Sequence, residues 1–308
     1  MSKEVRKGLI YQAISGFYYV WSQEESFATK PRGNFRHQQI KPLVGDEVEF
    51  EVDIEDEKSE SRIIKILPRK NSLVRPPVAN VDYALVVMSL VEPDFSYNLL
   101  DHFLVSLESN HISPYIILTK KDVLVEKRGQ EAADDLINDI RQVYRAAEYP
   151  VLVKEESNQF IEQLAGHVES GIYIVMGQSG VGKSTLLNQL LPNSNIQTAE
   201  ISDYLNRGRH TTREVTLYPW NDGLLADTPG FSAIEFPEVE KEQLGEYFPE
   251  IWQQSQHCRF RGCLHINEPN CAVKQAVDLN EIAVSRYQNY CQILEKIEQR
   301  KPIYRKKK

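Results

Sequence analysis

The stretch GQSGVGKST, residues 177–185, constrains this chain more than any other. It follows the apolar run IYIVM and opens the apolar-periodic stretch TLLNQLL. The pattern G-x-x-x-x-G-K-[ST] falls on Gly177, Gly182, Lys183 and Ser184. Such glycines let backbone N–H groups curl around phosphate oxygens, and the helix that follows adds its positive end. Strand, Gly-rich loop and helix in this order predict a nucleoside-triphosphate site. Gln178, Ser179, Gly180, Val181 and Thr185 complete the expected contact surface. Lys183 is expected on the β- and γ-phosphates and Ser184 on Mg²⁺.

The surrounding sequence fits a sheet that carries such a loop. From 73 to 235, short runs rich in β-branched residues (YALVVMSL, YIILT, VLV, IYIVM, LLAD) alternate with amphipathic stretches such as NLLDHFLVSLESN and AADDLINDIRQVYRAAE. Continuous apolar strands with intervening helices predict a mainly parallel sheet covered on both faces. Ligands of such folds sit at the carboxyl ends of the strands.

Two further motifs lie at such ends. LLADTPG places Asp227 and Gly230 in a D-x-x-G pattern after an apolar strand, where the Asp holds Mg²⁺ through a water and the Gly N–H senses a γ-phosphate. Between this motif and the phosphate loop lies RGRHTTR, 207–213, a polar loop placed to close on Mg²⁺ and phosphate, with Thr212 first and Thr211 second as ligand. The other motif is ILTKKD, 117–122. Here Thr119, Lys120, Lys121 and Asp122 resemble the guanine reader Asn-Lys-x-Asp. The Asp carboxylate accepts from guanine N1–H and from the exocyclic amine, a donor pair that adenine lacks. Thr119 stands where Asn is usual, and its shorter side chain is not expected to reproduce an amide's bonds.

The order is then base reader, phosphate loop, switch threonines, D-x-x-G. A cyclic rotation of the usual order preserves the spatial arrangement if the old ends are joined, and chain ends of domains often lie close together. Rotation also leads the switch end directly into the segment that follows. Position 231 after D-x-x-G is Phe rather than the Gln that orients water in many GTPases, so intrinsic hydrolysis is expected to be slow. His210 is the nearest titratable candidate for the catalytic role. Gly180, where some potassium-activated GTPases carry Asn, gives no expectation of K⁺ activation.

Residues 1–70 carry short alternating runs and turn residues, which predict a small β-barrel. The basic loop TKPRGNFRHQQIK places Phe35 among Lys30, Arg32, Arg36, His37 and Lys41, a combination able to follow a nucleic-acid backbone and stack a base. A solvated loop is the plainer reading of that stretch. Residues 236–308 read as helices around a cysteine cluster, with LNEIAVSRYQNYCQILEKIEQR as one long helix in which Cys291 is a packed thiol. Cys258, Cys263, His265 and Cys271 supply three thiolates and an imidazole in C-x4-C-x-H-x5-C spacing, a closed tetrahedral set suited to structural Zn²⁺, with His257 as the alternative imidazole. Arg259 and Arg261 on the same knuckle are placed for phosphate contact. The tail RKPIYRKKK holds six Arg or Lys, although the net charge of the chain is −8. No apolar run reaches the ~20 residues that cross a bilayer, and no secretory leader is seen, so a cytoplasmic location is expected.

Taken together, RPPVANVD (75–82), TKKD, GQSGVGKST, GRHTT, DTPGF and the cysteine spacing resemble the RsgA family, bacterial small-subunit-dependent GTPases also called YjeQ or YloQ. The resemblance implies an N-terminal OB-fold barrel (1–70) that binds RNA. It implies a central circularly permuted α/β P-loop GTPase domain (73–235) and a mainly helical zinc-binding domain (236–308). It implies GTP hydrolysis stimulated by the small (30S) ribosomal subunit, late maturation of that subunit, contact with its 16S rRNA, exchange between GTP and GDP, no membrane partner and a monomeric state. KEESN, 154–158, is a positional candidate for the fifth GTPase motif. Two other classes remain open on the sequence: an RNA-binding module that uses nucleotide only as an on/off ligand, and an ATPase or kinase on the same loop. Asp122 argues against the last.

Overall fold

The computed structural model describes residues 3–33, 35, 40–53, 61–155, 158–192, 215–227 and 238–300. Five strands form the first unit: β1 (Lys3–Ile14), β2 (Phe17–Ser22), β3 (Glu25–Pro31), β4 (Glu47–Asp53) and β5 (Ser61–Ile66). They pair in the order β2-β3-β5-β4-β1, and β2 pairs back onto β1, so the sheet closes into a barrel. Alternation drives the closure. Tyr18 and Val20 face inward on β2 with Ile10, Val48, Phe50 and Ile63 from the neighbouring strands. Phe35 also lies in this core at 8% exposure, so it is not available to stack a base. The basic-loop reading fails at that residue because an aromatic beside a small barrel gains more from filling its core than from solvent. Arg36 and His37 of the same loop lie outside the described residues.

The central sheet holds β6 (Tyr83–Ser89), β7 (Ser113–Thr119), β8 (Val151–Val153), β9 (Ile172–Met176), β10 (Thr216–Trp220) and β11 (Gly223–Asp227). Its order is β10-β11-β9-β6-β7-β8, parallel from β11 to β8, with β10 antiparallel to β11. The phosphate-loop strand β9 therefore lies between the D-x-x-G strand β11 and β6, and the base-reader strand β7 follows. β10 is absent from the sequence reading because Pro219 interrupts it; the strand tolerates proline because it lies beside only one long partner. Helices α1 (Tyr97–Glu108), α2 (Lys121–Arg128), α3 (Gln130–Arg145), α4 (Asn158–Ala165) and α5 (Lys183–Leu190) cover the sheet. In α3, Ala133, Ile137, Ile140 and Tyr144 recur at helical spacing and are the residues it buries.

The last unit contains a 3-10 turn (Leu244–Tyr247), α6 (Pro249–Ser255), α7 (Ala272–Asp278) and α8 (Val284–Glu298). Its core joins Leu244, Phe248, Ile251, Val273, Tyr290 and Ile293 to Val105 of α1. At this junction Arg286 of α8, 1% exposed, reaches Asp101 of α1 at 2.6 Å and Glu250 of α6 at 2.6 and 3.0 Å. Asn289 and Tyr144 also donate to Asp101, at 2.6 and 2.9 Å. Among the described residues, no helix is long and apolar enough to cross a membrane.

Candidate functional site: a nucleotide cleft and a metal knuckle

The register of the parallel strands brings the motifs to one edge. Ser89 is opposite Thr119, Val86 opposite Met176, and Ala226 opposite Ile174. The chain leaves β7 into the base reader, β9 into the phosphate loop and β11 at Asp227, all at the carboxyl ends.

The phosphate loop is shaped by its glycines. A Cβ on Gly177 would lie 2.2 Å from the Val87 carbonyl oxygen, and Gly182 has φ +96° directly before α5. Only glycine meets both demands without strain. Lys183 Nζ donates to the carbonyls of Gly177 and Gln178, at 2.7 Å each, so its stem folds over the loop. Burial holds its ammonium below the ordinary lysine range. Burial also raises the Asp227 carboxyl, and a cation nearby would favour its charged form again.

Thr119 answers the question raised by its sequence position. Its buried hydroxyl donates to the Val181 carbonyl at 2.7 Å and also lies 3.3 Å from the Met88 carbonyl. The hydroxyl thus ties the base reader to the phosphate loop. Beyond it, Thr119, Lys120, Lys121 and Asp122 line a cleft of about 580 Å³ together with Val181, Gly182 and Thr185 of the phosphate loop. Asp122 stands in the first turn of α2, and Lys120 before it is left-handed at φ 61°.

The motif reading passes over Glu92, which lines the same cleft and whose carbonyl accepts from Lys120 Nζ. The adjoining Pro93 approaches the phosphate loop at Gly180. The available signal was position alone: this loop directly follows the apolar strand β6. Lys154 and Glu155, the first residues of KEESN, line the cleft as well, whereas Glu156 and Ser157 lie outside the described residues. His210, Thr211, Thr212, Gly230 and Phe231 also lie outside them.

In the last unit, the ligand atoms of Cys258, Cys263, His265 and Cys271 all lie within 4.8 Å of one another. Sulfur-to-sulfur distances are 3.8 Å (Cys258–Cys271) and 3.9 Å (Cys263–Cys271), and His265 Nδ1 lies 3.6 and 3.3 Å from Cys258 and Cys271. Bonds of about 2.3 Å to sulfur and 2.0–2.1 Å to nitrogen give tetrahedral edges of roughly 3.8 Å (S–S) and 3.5 Å (S–N). The donor set fits a tetrahedral metal ion. Burial and the neighbouring thiols push Cys263 up to about 12, a bias that a divalent cation reverses. The knuckle is seated on α8 by Tyr287 and Tyr290, whose hydroxyls donate to the carbonyls of His265 and Leu264 at 2.6 and 3.0 Å. His257 is not part of this cluster.

A closed five-strand barrel, a P-loop sheet with rotated motif order and a Cys3His helical unit define a circularly permuted GTPase with two appended modules. The comparisons with known proteins agree. The profile of the RsgA GTPase family matches residues 66–237, and that of the RsgA N-terminal domain matches 7–59. The small ribosomal subunit biogenesis GTPase RsgA of Enterococcus faecalis is 52% identical over 301 residues, covering 98% of each chain. RsgA 1 of Listeria monocytogenes is 47% identical, covering 97% of this chain and 99% of its own. Among solved structures, YloQ, a circularly permuted GTPase, matches with TM-score 0.80 and 39% identity over 98% of each chain. YjeQ from Thermotoga maritima matches with TM-score 0.80 and 32% identity over 97% of this chain and all of its own. The chain belongs to the RsgA GTPase family.

Proposed function

We propose that this protein hydrolyses GTP while bound to the small ribosomal subunit and acts in the late maturation of that subunit. The observation that carries the reading is the one cleft lined by both the base-reader motif and the phosphate loop, which Thr119 ties together. The relatives are named for biogenesis of the small ribosomal subunit, which supports that subunit as the partner.

In this reading Asp122 accepts from the guanine edge and the Lys120 stem lies on the base. The loop amides of 177–185 and Lys183 hold the phosphates. Ser184 and Asp227 would hold Mg²⁺, which when bound neutralises phosphate charge as the bond to the γ-phosphorus breaks. Thr211, Thr212 and Gly230 would close on the γ-phosphate, and His210 would orient the attacking water in place of the absent Gln. Cys258, Cys263, His265 and Cys271 would hold a structural Zn²⁺, with no open position for catalysis. The units divide near 1–70, 73–235 and 236–308, and the protein works as a cytoplasmic monomer on 16S rRNA.

GTP turnover measured with and without purified small subunits tests the reading. Stimulation of at least tenfold is expected, and equal rates would remove its central claim. Asp122→Asn is expected to shift preference toward xanthine nucleotides; an unchanged guanine preference sinks that assignment.

A further inference from the structure

We infer that Glu268 is a positioning residue that presets His265 for a metal ion. The inference rests on the reading of Cys258, Cys263, His265 and Cys271 as a metal site. A cysteine sulfur lies one bond beyond Cβ, whereas an imidazole must aim Nδ1 from a flat ring. The backbone that carries the ring therefore matters most. At His265 that backbone has φ 60°, in the left-handed region that strains residues with a side chain. Such a conformation persists only where the surroundings impose it.

Glu268 imposes it from both flanks. Its Oε1 accepts from the Leu264 N–H at 2.8 Å, and its Oε2 accepts from the Ile266 N–H at 2.9 Å. One carboxylate thus grips the chain on either side of His265. The carbonyls of the same three residues are also held: Tyr290 donates to Leu264, Tyr287 to His265, and Lys274 to Ile266 at 3.1 Å. The tyrosines seat the loop on α8, and the carboxylate sets its shape. Pro269 directly follows Glu268 and disfavours the helical region there, so the loop does not wind onward before Cys271 caps α7.

Charge alone does not account for this placement. A carboxylate beside three thiols opposes their ionisation. Its benefit to the site must then come from the two backbone bonds. Outer partners of a ligating histidine commonly hold its second ring nitrogen; here the carboxylate holds the backbone instead. Glu246 offers the contrast. It is exposed and lines the same groove as Cys258, Cys263 and His265, yet among the described residues its side chain makes no hydrogen bond to the knuckle.

The test uses the full chain stripped of metal by a chelator, with Zn²⁺ affinity read by competition against a chromophoric chelator. Glu268→Ala is expected to weaken Zn²⁺ binding about 10- to 100-fold. Glu268→Gln keeps the length but offers one acceptor oxygen to two N–H groups, and a smaller loss of at least about threefold is expected. Glu246→Ala, which removes a screened surface charge, is expected to stay within about twofold of the parent. In the metal-free parent the Leu264 and Ile266 amides should resist hydrogen exchange. They should lose that protection in Glu268→Ala while residues 284–298 keep theirs, which shows that the unit is still folded. Should alanine unfold the unit, the glutamine variant and the exchange of the metal-free parent still decide. Parent-like Zn²⁺ binding by either Glu268 variant overturns the positioning role, as does an equal loss in Glu246→Ala. Free exchange of the Leu264 and Ile266 amides in the metal-free parent overturns it too. Each of these results leaves the metal site standing. A parent that binds no Zn²⁺ removes the metal reading itself, and this role with it.

Discussion

The central sheet is joined to its two neighbours by seams of opposite character. On the barrel side the junction is built mainly from apolar packing and neutral backbone and side-chain amide hydrogen bonds, with the Lys70–Asp82 ion pair only at its exposed rim. Val44 bridges Val78, the Ala79 N–H donates to the Val44 carbonyl at 2.9 Å, and Asn80 donates to the Gly45 carbonyl at 2.8 Å. One hydrophobic cluster runs through it from Ile10 and Phe50 to Val86 and Met176. On the side of the metal knuckle the junction is a buried charge cluster, Arg286 between Asp101 and Glu250, with only Val105 of α1 in the shared apolar core. An apolar seam tolerates adjustment. A buried ion cluster holds one geometry and fails when any partner is lost. The difference matters because α1 follows the loop of Glu92 and Pro93, whose Glu92 carbonyl accepts from Lys120 and which lines the nucleotide cleft. The knuckle is thus fastened to the nucleotide cleft by a second route besides its chain connection through the switch end.

The largest expected effect lies at the charged seam. Arg286→Met leaves two buried carboxylates facing each other and is expected to cost about 3–5 kcal/mol. Urea unfolding gives the magnitude. Hydrogen exchange should rise in residues 284–298 while the barrel strands keep their protection. A loss under about 1 kcal/mol would mean that the cluster is not what fastens the knuckle.

Next comes the apolar seam. Gly45 has φ +90°, and a Cβ there would lie 2.1 Å from the Ala79 carbonyl. Gly45→Ala is expected to cost about 1–3 kcal/mol and to raise exchange in the barrel and in the 76–80 strap, with α8 unaffected. Spread of the effect into α8 would contradict the independence of the seams.

Charge also makes one seam sensitive to pH. His102 of α1 donates from Nδ1 to the Asn98 carbonyl at 2.7 Å, which leaves Nε2 to accept from Lys296 of α8 at 3.3 Å. Burial, aided by Lys296, depresses its pKa below the ordinary histidine value of 6.5. A depressed pKa means that the unfolded chain takes the proton first. Its stabilising contribution is therefore complete above pH 6.5 and is lost as pH falls through the folded value. Comparing unfolding at pH 7.5 and 5.5, His102→Gln should show a smaller loss than the parent, and an equal loss would acquit this residue.

That the motifs share one cleft was legible because each is a short contiguous stretch directly after a strand of a parallel sheet. GQSGVGKST, TKKD and the cysteine spacing needed no knowledge of tertiary contacts. Arg286 was not legible: an arginine in SRYQNYCQ reads as a solvent-facing helix position, and its acidic partners are 36 and 185 residues away. Phe35 misled for the reverse reason, since a basic neighbourhood in sequence says nothing about which way a ring turns. The tie made by Thr119 was not legible because its acceptor, the Val181 carbonyl, is contributed by a loop 62 residues later. RPPVANVD was recognisable as a motif, but only the fold shows that it is the strap holding the barrel.

The smallest expected effect tests whether the barrel needs its one direct link to the central sheet. Among the described residues, β1 pairs with β10 only at Gln12 and Thr216, where the Gln12 amide donates to the Thr216 hydroxyl at 3.2 Å. Gln12→Ala removes that side-chain bond but leaves the backbone bridge. The site is half-buried, so water can replace the lost partner, and the expected cost is under about 1 kcal/mol. Thermal unfolding and barrel exchange should stay near those of the parent. A cost above about 2 kcal/mol would move the weight of the barrel seam from the strap to β10. The strand entering the D-x-x-G hairpin would then be a mechanical contact of the barrel, and the two seams would both bear on the nucleotide edge.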